Sequence, residues 1–372
     1  MKWFGKTGRR ITQNPFEMEF STEEKKQYDR HLILEGIGVQ GQKKLKESSV
    51  LVIGAGGLGC PLLQYLTAAG VGTIGIVDDD TVDQSNLQRQ ILFRKEDVGK
   101  NKAEVAASRL KNLNPYINFK VFPLRLSNDN VLDLIQKFDV LVDGTDNFSS
   151  RYLISDAAVL ANKPVVFGSI FKFQGQVSLF NYQGGPTYRC LFPNPPKPEE
   201  VPNCSEIGVL GVLPGIIGSF QANEVLKLIL GLGDLLSGKL LTYDALELKQ
   251  MIFAFEKNEN ILIDGLLDDY DFFCGVKQDH LEISYADYKE QQENFHVLDV
   301  RTAEERSNYS IPSLHIPLSE LEHRIQELPA DKKLLVYCKS GMRSAKAIEK
   351  LRARSFPAEL FNLKGGLPFG GL

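Results

Sequence analysis

The chain has 372 residues, 43% of them apolar and 24% charged, with a formal net charge of −4. That balance belongs to a folded protein, not a disordered one, and the length calls for two domains. No basic stripe dominates any region, which argues against nucleic acid as the main partner.

The N-terminus, MKWFGKTGRRITQNPFEMEF, opens with positive charges but no apolar core follows, so no secretory signal is expected. The most apolar later stretch, IGVLGVLPGIIG, is short and broken by Gly and Pro, so no membrane span is expected. The five cysteines, Cys60, Cys190, Cys204, Cys274 and Cys338, are odd in number and widely spaced. They read as functional thiols in a reducing compartment, the cytoplasm, and not as a disulfide framework.

From Ser49 onward short β-branched runs alternate with helical patterns. SSVLVIGAG, GTIGIVDDD, FDVLVDGTD and KPVVFGSI are nearly continuous in apolar residues, as buried parallel strands are. PLLQYLTAAG and KAEVAASRLKNL supply helices between them, and that order predicts a doubly wound, Rossmann-like α/β sheet. QGQVSLFNY reads as a more alternating strand, and the Pro-rich stretch from Gly184 to Glu206 as irregular chain. GIIGSFQANEVLKLILGLG returns to helical spacing. Residues 256–283 are acidic and poorly periodic, and read as a linker. FHVLDVR, KLLVYC and AELFNL then start a second, smaller α/β domain over 284–372, after a first domain over 20–255.

GAGGLG (Gly54, Gly56, Gly57, Gly59) follows the first strand directly and opens a helix, the setting in which backbone amides cradle a phosphate. Asp78, 19 residues past Gly59, ends the next strand, where a carboxylate can bond ribose hydroxyls. The glycine loop alone leaves open a nicotinamide oxidoreductase or a turn with no ligand. The segment from Val77 to Glu104 then adds Asp78, Asp80, Asn86, Arg89, Gln90 and Lys102. Cations beside carboxylates and an amide suit a triphosphate with a metal better than nicotinamide.

At this point the chain resembles the E1-like (ubiquitin-activating type) ThiF/MoeB/HesA family of adenylyltransferases. The resemblance runs in order through YDRHLIL, SNLQRQ, VGKNKAE, LVDGTDNFSSRYLISD and GVLGVLPGIIGSFQANEVLKLILG. It implies ATP and Mg2+ as cofactors, with Gly57 and its neighbours holding the nucleotide and Asp78 its ribose. It implies that Asn86, Arg89 and Lys102 contact the triphosphate, and that Asp146 positions magnesium with Asn147 beside it. Arg30 matches an arginine given across a homodimer interface to the partner's phosphates. Attack of a carboxylate on the α-phosphorus joins two anions, and such a set neutralises them. No G-x-x-x-x-G-K-[ST] loop is present, so ATP use rests on the resemblance. The implied protein partner is a ubiquitin-like sulfur carrier ending in Gly-Gly.

Cys204, in EEVPNCSEIGVLG, is expected over the active site, where a thiol can capture an activated acyl group or a persulfide. Cys338 closes the strand LLVYC and opens CKSGMRS before the helix AKAIEKLRA, resembling a single-domain rhodanese. Backbone amides and a helix N-terminus there stabilise a thiolate or persulfide anion. Upstream, LDVRTAEER adds Asp299, Arg301 and Glu305. Four residues separate Cys338 from Arg343, against five in tyrosine phosphatases, so the loop is sized for sulfur. A sulfur donor such as a cysteine desulfurase is the second implied partner.

The resemblance also brings two C-x-x-C pairs for structural zinc. Here they correspond to Thr187–Cys190 and Asp271–Cys274, each with one cysteine replaced. Cys190, Cys274 and Asp271 offer three donors and Thr187 a poor fourth, so zinc is doubtful. The function expected is carrier adenylation coupled to sulfur transfer, in molybdopterin or thiamine biosynthesis. A tRNA-modifying relative and a non-catalytic carrier-docking scaffold are the alternatives.

Overall fold

The computed structural model describes residues 20–196, 208–275 and 281–367. The chain divides into two compact units, with the boundary between Leu266 and Leu267.

The first unit is built on eight strands: β1 (Ser49–Ile53), β2 (Thr73–Val77), β3 (Asn118–Phe122), β4 (Val140–Asp143), β5 (Val165–Phe171), β6 (Gln174–Phe180), β7 (Lys239–Asp244) and β8 (Lys249–Ala254). They lie in the order β3-β2-β1-β4-β5-β6-β7-β8. The first five are parallel, with Leu51 opposite Gly75 on β2 and Leu141 on β4. Val50, Leu51 and Val52 are fully buried, as expected of a strand covered on both faces. Each such side chain contributes about 1.5–3 kcal/mol of burial.

From β5 onward the pairing turns antiparallel, through β6 and β7 to the β7–β8 hairpin. The hairpin and β3 were not legible from periodicity. β8 is exposed along its whole length and β3 is only partly covered, so neither carries the continuous apolar signature of the central strands.

The crossover helices pack close. The Gly59–Ala69 helix buries eight of its eleven residues, and the Leu213–Leu230 helix lies against it. Gly218 permits this approach, since a Cβ there would sit 2.4 Å from the Leu58 carbonyl. Within the stretch read as irregular, Tyr188–Leu191 forms one helical turn, anchored by Arg189 on the buried Asp156 carboxylate at 2.7 and 2.8 Å.

The second unit is an all-parallel sheet of five strands: β9 (Leu281–Ile283), β10 (Phe295–Asp299), β11 (Leu314–His315), β12 (Lys333–Tyr337) and β13 (Leu360–Leu363), ordered β11-β10-β12-β13-β9. Within residues 256–283, Tyr270–Phe273 is helical and β9 pairs with β13, so this stretch includes elements of the second unit. No helix among the described residues is long and apolar enough to cross a membrane.

Candidate active site

Strand order reverses at β1, whose neighbours β2 and β4 are reached by crossovers in opposite directions. In such sheets the crevice beyond the carboxyl ends of the strands is the binding place. A cleft of about 720 Å³ occupies it here, lined by Gly54, Gly56, Gly57, Asp78, Arg89, Gln90, Lys102, Asp146 and Asn147 among others.

The glycine loop is shaped by close backbone approach. Gly54 has φ +94°, and a Cβ on it would lie 2.8 Å from the Gly144 carbonyl. A Cβ on Gly59 would lie 2.1 Å from the Gly54 carbonyl. Only glycine fits either place. Gly59 starts its helix without facing the cleft, whereas Gly56 and Gly57 line it.

Asp78 accepts the Ala55 N–H at 2.7 Å and the Asp80 N–H at 2.9 Å, which ties the end of β2 to the glycine loop. Burial raises its pKa, and the Ala55 amide and the Lys102 charge offset part of that. Asn101 caps the Lys102–Leu113 helix through the Glu104 N–H, and so presents Lys102 at its first position. The Lys102 side chain is almost wholly buried and its ammonium meets Asp80 at 2.9 Å. The carboxylates of Asp78, Asp79 and Asp80 lie within 4.8 Å of one another. Arg89 is half-buried and donates to the Ser85 carbonyl at 3.2 Å. Asn86 is off the cleft wall and accepts the Asp83 N–H, closing the short turn that carries Arg89.

Asp146 is exposed on the cleft wall. The cap of the Phe148–Leu160 helix is Asn147, whose Oδ1 accepts the Ser150 N–H at 2.9 Å, so Asp146 is not spent on capping. Arg30 is exposed and not among the cleft residues, and Cys204 lies outside the described residues.

Two groups on or beside the cleft, Asp143 and Arg151, escaped the sequence reading. Asp143, at the end of β4, is buried and its pKa is raised by burial, with Arg151 and Thr145 opposing. Its Oδ1 accepts the Thr145 N–H and hydroxyl. Arg151 lies over the rings of Phe148 and Phe167 and donates to the Thr145 carbonyl at 3.2 Å. The Arg151 Nε and the Oε1 of Gln90 are buried without a protein partner, and both residues line the cleft. Buried polar atoms left open at a cleft are places for a ligand to complete. The signal for Arg151 was its position in the run from Asp146 to Arg151, one helical turn past the exposed carboxylate.

In the second unit, Cys338 is fully buried at the end of β12, below the loop that leads into the Met342–Ala353 helix. Gly341 in that loop has φ +85°. Arg343 makes two 2.6 Å bonds to Glu305, whose pKa falls to about 2 through that pairing. Glu305 also closes a capping box with Thr302 at the start of the Ala303–Asn308 helix. Asp299 and Arg301 form a buried pair at 2.9–3.0 Å, with the Tyr337 hydroxyl donating to Asp299. Burial alone would raise the Asp299 carboxyl, and the Arg301 bonds bring it below its usual value. Asp299 and Arg301 therefore brace the sheet beneath the loop.

The donors around Cys190 do not assemble a zinc set. The Asn258 N–H points at the Cys190 sulfur at 3.4 Å, and the Thr187 N–H does so at 3.3 Å. Within that knuckle one sulfur faces two amide donors, which does not fit the four-donor set zinc needs.

Comparison with known proteins shows the family of each unit. Residues 28–262 match the ThiF family and residues 284–368 the rhodanese-like domain. The chain is 43% identical over 364 residues to a probable adenylyltransferase/sulfurtransferase MoeZ of Mycobacterium tuberculosis, covering 93% of both chains. It is 48% identical over 271 residues to a sulfur carrier protein adenylyltransferase of Thermus thermophilus, covering 70% of this chain and all of that one. It is 41% identical to the mouse adenylyltransferase and sulfurtransferase MOCS3, covering 95% of this chain and 85% of the relative. Among solved structures, Escherichia coli MccB with ATP aligns over 60% of this chain and 68% of its own, with a TM-score of 0.53 at 24% identity. That likeness is one of fold.

Proposed function

Since the chain belongs to the ThiF family and carries a rhodanese-like domain, we propose that it activates the C-terminal Gly-Gly carboxylate of a ubiquitin-like sulfur carrier with ATP and delivers sulfur to it. The observation that carries this reading is one chain holding both a cleft rich in cations and carboxylates at the sheet's switch point and a Cys338–Arg343 loop. The 41–43% identical relatives named for both activities support it, as does the 48% identical relative named as a sulfur carrier protein adenylyltransferase.

In the first step a carrier carboxylate oxygen attacks the α-phosphorus of ATP. The acyl-adenylate forms and pyrophosphate leaves. Gly56 and Gly57 let the phosphates approach the backbone, and Asp78 holds the ribose. Arg89 and Lys102 neutralise the β- and γ-phosphates, with Asn86 setting the turn that aims Arg89. Lys102 would exchange its bond to Asp80 for one to phosphate. Asp146, exposed and uncommitted to capping, would hold the magnesium ion, with Asn147 beside it; the ion supplies charge neutralisation at the reacting phosphate. Arg30, exposed and off its own cleft, would serve the neighbouring subunit of a homodimer.

In the second step sulfur enters as a persulfide on Cys338, supplied by a desulfurase or a comparable donor. The outer sulfur of the Cys338 persulfide attacks the acyl-adenylate carbonyl, AMP leaves and an acyl disulfide forms. A second thiolate, Cys204 or an external thiol, then attacks Cys338 Sγ, so that the S–S bond breaks, the thiocarboxylate leaves with the electron pair, and the disulfide left behind is reduced by a further thiol. The pathways fed are molybdopterin or thiamine biosynthesis, in the cytoplasm.

The test is ATP–pyrophosphate exchange with a Gly-Gly-ended carrier. Exchange that needs the carrier and disappears in Asp146→Ala supports the reading. Exchange absent with every carrier, or unchanged in the variant, overturns it.

A further inference from the structure

The Cys338 loop contains a hydroxyl with too many acceptors. Ser344 Oγ lies 2.6 Å from Asn362 Oδ1, 3.0 Å from the Gly341 carbonyl and 3.5 Å from Cys338 Sγ. One O–H proton faces three acceptors. The orientation of the Asn362 amide is set independently, because its Nδ2 donates to the same Gly341 carbonyl at 3.0 Å. Cys338, Ser344 and Asn362 are all fully buried, so water cannot complete the set.

The distances rank the acceptors. With Cys338 as a neutral thiol, the Ser344 proton goes to Asn362, and the hydroxyl oxygen turns a lone pair toward sulfur. When negative charge develops on Sγ, a charge-assisted bond outweighs the neutral one, and the proton swings to sulfur. A buried anion needs such a donor.

We propose that Ser344 is a catalytic residue of sulfur transfer, donating its hydroxyl proton in a hydrogen bond to the Cys338 thiolate, with Asn362 holding that hydroxyl in place. The proposal rests on the sulfur-handling reading of Cys338. In loading, the Cys338 thiolate attacks the outer sulfur of a sulfane donor. With thiosulfate the S–S bond breaks, sulfite leaves with the electron pair, and Cys338–S–S⁻ forms. In discharge, a thiolate acceptor attacks the outer sulfur of Cys338–S–SH. The Cys338 S–S bond breaks, the electron pair returns to Sγ, and the acceptor departs as its persulfide. Sγ is anionic at the start of one step and at the end of the other, and Ser344 serves both.

The charged groups on the elements around the loop include Lys339, Arg343, Lys346, Glu305, Asp268, Lys364 and the Asp299–Arg301 pair. None of them changes in a Ser344 variant, so a shift there reports the hydroxyl.

The experiment compares the full chain with Ser344→Ala, Ser344→Thr and Cys338→Ala. Thiosulfate serves as donor and dithiothreitol as acceptor, and alkylation of the Cys338 peptide is followed by mass spectrometry across pH. Loss of one hydrogen bond to a charged sulfur is expected to lower kcat about tenfold and to raise the alkylation midpoint by about one pH unit. Ser344→Thr, which keeps the hydroxyl, stays within about threefold of wild type. Ser344→Ala matching wild type in both readouts overturns the proposal, and so does Ser344→Thr failing as badly as Ser344→Ala. Should Ser344→Ala not fold, Ser344→Cys, close in size but a weak donor, is expected to show the same two shifts. Sulfur transfer surviving in Cys338→Ala would instead sink the underlying reading of Cys338.

Discussion

The Glu305–Arg343 pair allows a test in which one charge is removed with little else. Glu305→Gln keeps an acceptor for the Thr302 cap, because Gln serves at that position of a capping box, but it removes the charge facing Arg343. The Glu305 pKa falls from 4.5 to about 2 on folding. At 1.36 kcal/mol per pH unit the full shift is worth about 3 kcal/mol. Both side chains are about one-fifth exposed, 23% and 21%, so solvent screening reduces this to about 1–2 kcal/mol. A folded pKa below the unfolded one means that the stabilisation is complete above about pH 4.5 and is lost as pH falls toward about 2. The assay is hydrogen exchange of peptides within 284–367 in a pH series, read as opening free energy. Glu305→Gln is expected to open about 1–2 kcal/mol more easily at neutral pH, with a gap that is flat down to about pH 5 and narrows below it. No gap at neutral pH, or a gap still full at about pH 3, refutes the reasoning.

Four further outcomes follow from the same structure. Gly59→Ala is expected to abolish ATP–pyrophosphate exchange and lower Tm, because its Cβ would lie 2.1 Å from a carbonyl, whereas Gly57→Ala, 3.1 Å from the Pro214 side chain, lowers Tm far less; equal losses of Tm would contradict the packing. Arg189→Met removes the two charge-assisted bonds to the buried Asp156 carboxylate and should cost about 3–5 kcal/mol, while Asp156→Asn combined with Arg189→Met recovers part of it in denaturant unfolding. Metal analysis of the purified chain should find far less than one zinc per chain, and a zinc chelator should leave Tm unchanged. Leu62→Ala, at a fully buried site, should cost about 2–5 kcal/mol, and a loss below about 1 kcal/mol would mean that the site collapses.

Much of this protein was legible one segment at a time. Gly54 to Gly59 after an apolar strand, Lys102 in the run VGKNKAE, and Cys338 between a strand and a helix are local patterns. Each encodes its own turn, cap or loop through backbone conformation and nearby hydrogen bonds. The parallel strands announced themselves because burial on both faces demands continuous apolar residues. Tertiary structure decided what depends on partners distant in sequence. β8 forms although all six of its residues are exposed, because β7 supplies its hydrogen bonds. Cys190 meets the Asn258 N–H, since spacing cannot tell which later turn folds back on a thiol. Arg151 became a cleft residue only once the Phe148–Leu160 helix packed its guanidinium over Phe167. Ser344 and Asn362 lie 18 positions apart, and only the parallel register of β12 with β13 sets them 2.6 Å from each other beside a buried sulfur. Local chemistry is written in neighbouring residues, whereas the meeting of remote side chains is set by which faces the whole chain can bury together.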